Sequence, residues 1–108
     1  MELHIKERLV IPTILPEKGT FMEFNLKKSI SQKVSITEQD KADYNIRTNE
    51  EKRRVEWDYQ KDTETPLMVE FSKEELEYLR KSCEAISEQQ LGDEVWGVVE
   101  RIYNEAVQ

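Results

Sequence analysis

At 108 residues, 37% hydrophobic and 36% charged, the chain has the size of one domain and enough apolar side chains for one core. The net charge of −7 is unevenly held: residues 1–54 carry 11 Lys/Arg against 9 Asp/Glu (+2) and residues 55–108 carry 5 against 14 (−9), a field that makes nucleic acid an unfavourable partner. A single cysteine excludes an intramolecular disulfide, no apolar run approaches the ~20 residues of a membrane span, and the first residues lack the pattern of a signal peptide, so the expected setting is the cytoplasm.

Residues 3–15 are apolar at Leu3, Ile5, Leu9, Val10, Ile11, Ile14 and Leu15. Glu7 and Arg8 break any strand alternation, which predicts a helix with a kink or restart at Pro12. Residues 16–19 form a turn. Thr20 stands three positions before Glu23, the spacing of a capping box. The helix it starts should bury Phe21, Met22, Leu26, Ile30 and Val34. Ser35 and Glu38 repeat the cap and open a short third helix through Tyr44.

From Asn45 the period changes to two. Ile46 and Thr48 give a first strand, residues 49–52 a turn, and Val55, Trp57 and Tyr59 a second strand. Residues 60–65 read as a polar loop, and Leu67, Val69 and Phe71 as a third strand. Ser72 and Glu75 cap the clearest amphipathic helix, which should end in a left-handed Gly92. Asp93 then caps a last helix with Val95, Trp96, Val99, Ile102, Tyr103 and Ala106 inward. The expected fold is a single α+β domain: a small three-stranded antiparallel sheet packed against N-terminal helices and a C-terminal helical hairpin.

The segments Lys6-Glu7-Arg8-Leu9-Val10-Ile11-Pro12 and Leu15-Pro16-Glu17-Lys18-Gly19-Thr20-Phe21-Met22-Glu23, with Val55-Glu56-Trp57-Asp58 and Val69-Glu70-Phe71, resemble a group of small function-unknown proteins of phage, prophage and gut-bacterial genomes. The resemblance covers most of the chain. It implies a fold and a genomic setting and carries no site residues.

Catalysis needs convergent groups, and the single histidine and cysteine, His4 and Cys83, are far apart in sequence. His4 reads as a solvated residue of a frayed first turn and Cys83 as a small hydrophobe on a helix stripe. Glu74, Glu75 and Glu77 suit a helix N-terminus. Glu56, Asp58 and Asp62 fall on the wet side of a strand and its loop. The glycines are isolated, so no phosphate-cradling loop is present. The sequence therefore predicts no catalytic residues, no metal and no cofactor.

Two constellations remain. Arg47, Lys52, Arg53 and Arg54 lie near Trp57, a set of cations and an aromatic that suits a small phosphorylated ligand such as a nucleotide-type signal. Trp96 beside Val95, Val98 and Val99 makes the last helix apolar over more than half its circumference and Gly97 opens close approach, so Trp96, Val98 and Tyr103 are the expected interface with a protein partner or a second copy. The expectation is a non-enzymatic interaction protein, a phage or prophage accessory factor. The alternatives are a ligand sponge and an acidic nucleic-acid mimic that binds a basic host protein.

Overall fold

A computed structural model describes residues 1–108. The chain opens in a two-residue strand, β1 (Glu2–Leu3), and enters helix α1 (Ile5–Ile14). The helix runs through Pro12 without a restart and stops at Leu15, held extended (φ −75°, ψ 139°) ahead of Pro16. Helix α2 (Phe21–Val34) begins at the expected box, with Thr20 Oγ1 accepting from Glu23 N at 3.2 Å and Glu23 Oε1 from Thr20 N at 2.9 Å. The box of α3 (Glu38–Asp43) is shifted by two residues from expectation. Thr37 and Asp40 form it, with Asp40 N donating to Thr37 Oγ1 at 3.1 Å.

Asn45 adopts φ 51°, the left-handed conformation that asparagine tolerates, and turns the chain into strand β2 (Arg47–Asn49). β2 pairs antiparallel with β3 (Arg54–Glu56) in the register Arg47 opposite Glu56. This hairpin follows the period-two reading. The continuation to Tyr59 does not, because Asp58 accepts a hydrogen bond from Lys61 N at 3.1 Å and starts helix α4 (Tyr59–Glu64) where a loop was expected. A side-chain cap outweighs two more alternating residues.

Strand β4 (Leu67–Met68) pairs with β1, Glu2 opposite Met68 and Leu3 opposite Leu67. The ladder extends past it, since Val69 N donates to Met1 O at 2.9 Å and the Met1 ammonium to Val69 O at 2.6 Å. The three-stranded sheet is thus replaced by two separate two-stranded antiparallel sheets. The third strand pairs with the chain start, read from its sequence as helix, and leaves the hairpin alone.

Helix α5 (Lys73–Ala85) has the expected Ser72–Glu75 box and ends at Ile86, short of Gly92. Gly92 instead sits at φ −66° as the N-cap of α6 (Asp93–Ala106). α5 packs between α2 and α6, and α1 closes the group against α2 and α6. Their shared core holds Leu3, Ile11, Ile30, Leu79 and Ile102, all fully buried. The α+β class follows, with helices as its main mass. No helix is long and apolar enough to cross a membrane.

Two buried ionic clusters tie these helices together. The Arg8 side chain, 3% exposed, donates Nε to Val34 O at 3.2 Å and Nη2 to Ser35 O at 2.5 Å and Asp40 Oδ2 at 2.6 Å, so one guanidinium joins the end of α2 to the start of α3. Glu75 accepts from Lys33 Nζ at 2.5 Å, Ser29 Oγ at 2.9 Å and Ser72 N at 2.8 Å, joining α2 to α5. Burial works to raise the Glu75 carboxyl, but the Lys33 ammonium and these donors overcome it and hold the group below the usual carboxylate range.

Candidate functional site

α6 turns about 100° per residue, so with Ile102 at the core, Val98 and Val95 lie within about 40° of it, while Trp96 and Tyr103 stand about 120° and 100° round. Val98 is accordingly in the core at 5% exposure, which removes it from the expected interface set. Trp96 and Tyr103 are half-buried on one flank and face the C-terminal half of α5. Between the two helices lies an open groove of about 320 Å³, with Val99 and Cys83 in its floor, Trp96 and Tyr103 along it, and Glu84 and Glu100 among its walls. Gly97 is exposed, and a methyl group placed on it would touch nothing within 4 Å. The close approach it was expected to permit is therefore not used within the chain.

The groove is held by its own polar contacts. Tyr103 Oη donates to Glu84 Oε2 at 3.2 Å, and Arg80 Nη1 bonds the same carboxylate at 2.8 Å. Cys83 Sγ lies 3.9 Å from Val99 O. Burial, then the nearby Glu84 charge, push the Cys83 thiol up to about 11, so it stays protonated and unreactive at neutral pH. The floor offers apolar contact and no nucleophile.

The basic constellation stands on the β2–β3 hairpin. Arg47 and Arg54 both turn to one carboxylate, Glu56, at 3.5 Å and 3.2 Å. Asn49 Nδ2 donates to it at 2.9 Å, and these donors, Asn49 first, draw its pKa below the ordinary value. Lys52 and Arg53 lie in the exposed turn, with Arg53 at φ 52°. Trp57 packs against Tyr59 with ring centroids 4.8 Å apart and planes tilted by 43°, and its buried Nε1 has no partner within the protein. The cations and aromatics are thus neighbours, but two of the four cations share one carboxylate, which offsets one of their two charges.

His4 is not a frayed surface residue. It is half-buried, with Nδ1 3.2 Å from Asp62 O and 3.5 Å from Asp62 Oδ1. Asp62 is buried, and its carboxylate accepts Ile5 N at 3.1 Å, capping α1 from 57 positions further along the chain. Glu7, also buried, pairs with Arg101 of α6. These are contacts between elements, and they bring no group of three metal-ligating side chains together.

One surface escaped the sequence reading. Phe21, Met22 and Phe24 are 77%, 71% and 57% exposed. Taking Ile30 as inward on α2, Leu26 and Val34 fall within about 40° of it, whereas Phe21 lies about 180° away, Phe24 about 120° and Met22 about 80°. The inward position of the first turn belongs to Glu23. Extending the Leu26–Ile30–Val34 stripe backward by angle instead of by residue type would have found this patch.

The chain matches no protein-family model, no curated protein and no solved structure.

Proposed function

We propose that this chain is a non-enzymatic interaction protein, a phage or prophage accessory factor in keeping with its resemblance, that captures a protein segment in the α5–α6 groove. The observation that carries the reading is the placement of Trp96 and Tyr103 along an apolar floor open to solvent. Aromatic anchors in a preformed groove are the usual centre of binding energy at protein interfaces. The exposed carboxylate of Glu100 beside it, which has no partner within the chain as Glu84 has in Arg80, favours a segment with a basic flank. The hairpin supports the ligand-sponge alternative less, because Glu56 already occupies Arg47 and Arg54.

Selection of helical peptides on the folded protein, counter-selected on Trp96→Glu, tests this. The expected binders carry an apolar anchor with Lys or Arg neighbours and lose at least tenfold in affinity on the variant. Binders that do not distinguish the two proteins would remove the groove from the function.

A further inference from the structure

The groove has a complement on the same chain. Resting on the groove reading above, we infer that the segment it takes is the first turn of α2 from a second copy, with Phe21 and Phe24 as anchors.

Three observations converge on that occupant. Phe21 and Phe24 are a neighbouring pair of highly exposed aromatic side chains that together offer on the order of 250 Å² of surface, while Met22 lies on the opposite flank of the helix. Phe21 and Phe24 are one helical turn apart and project over adjacent faces of α2, as two anchors entering a groove require. The charges without an intrachain partner match: Lys33 of α2 is held by Glu75 and Lys27 by the Pro16 carbonyl, which leaves Lys28 beside the pair of aromatics, and Glu105 of α6 is held by Arg101, which leaves Glu100 at the groove. Lys28 is exposed beside the patch and Glu100 is exposed at the groove.

Within one chain the two surfaces stay apart, since α5 stands between α2 and α6. A contact between copies joins unlike surfaces and is heterologous. Phe21 and Phe24 supply about a third of the ~800 Å² that a standard interface buries per partner, so the contact belongs to the weak, transient class.

Mixing two variants reads the contact directly. Phe21→Glu with Phe24→Glu removes the patch at exposed positions and leaves the fold intact. Trp96→Glu removes the groove, with Glu100→Lys as a second groove variant at a position where folding is not at stake. Sedimentation of the wild type should show a mass rising above 12.9 kDa between 5 and about 300 micromolar. Each variant alone should stay monomeric, and an equimolar mixture of patch and groove variants should recover a dimer, because each contributes the surface the other lacks. A wild type monomeric throughout, or a mixture as monomeric as its components, overturns the inference. Groove-dependent peptide binding by a monomeric wild type would leave the wider groove reading standing, and association indifferent to Trp96→Glu and Glu100→Lys would overturn the inference while leaving the groove reading to the peptide selection.

Discussion

Replacing Arg8 by Met keeps most of the aliphatic stem and removes three charge-assisted hydrogen bonds from a side chain 3% exposed. The partners fare differently. Ser35 is exposed, so water can replace the guanidinium at its carbonyl. The Asp40 carboxylate still accepts from Thr37 N and has a partly exposed side chain. Val34 is fully buried, and its carbonyl loses its side-chain donor without ready access to water, which costs about 1–3 kcal/mol. Loss of the Asp40 attraction adds up to about 1 kcal/mol. Relief from burying a guanidinium offsets part of the sum. The net expectation is about 1–3 kcal/mol, centred near 2. With a urea m-value of about 1–1.5 kcal/mol/M for a chain of this size, the unfolding midpoint should fall by roughly 2 M. Arg8→Lys should recover less than half, since one ammonium cannot reach three divergent acceptors. Lys81→Ala, which removes an exposed pair with Glu77 at 3.5 Å, is the control and should change stability by less than about 0.5 kcal/mol. A loss below 1 kcal/mol for Arg8→Met would refute the view that this guanidinium joins α2 to α3.

Acid should act through Glu75 and Asp40. Burial opposes their ionisation, but hydrogen bonds to the carboxylates win, so both folded-state pKa values lie below their unfolded values. Their stabilisation is complete above the usual carboxylate range and is lost as pH falls through the folded values. The urea midpoint should therefore drop on the acid side, and Glu75→Gln should flatten that drop while lowering the midpoint at pH 7; an unchanged acid slope in Glu75→Gln would contradict the assignment. Cys83, with its thiol near 11, should react with a thiol-specific disulfide reagent at pH 8 at least about a hundredfold more slowly in the native protein than in urea, and equal rates would show that the groove floor is open.

The strongest local signals in the sequence survived folding. Thr20 with Glu23 and Ser72 with Glu75 start their helices as expected, because a cap is settled within four residues. The turn-rich stretch after Asn45 gives a hairpin for the same reason. The class α+β was legible from periodicity, whereas Trp96 and Tyr103, read as inward, lie on a half-buried flank of α6. The tertiary structure decided what depends on partners distant in sequence. Residues 67–68 pair with residues 2–3, more than sixty positions away, so no local pattern could tell that strand from one in a meander. Arg8 reaches Asp40, Asp62 caps α1, and Glu7 meets Arg101, although each reads as a surface charge in its own segment. Phe21 and Phe24 lie outside the core for a related reason: hydrophobicity says that a side chain favours burial, but only the direction in which a helix docks decides which of its apolar residues achieve it.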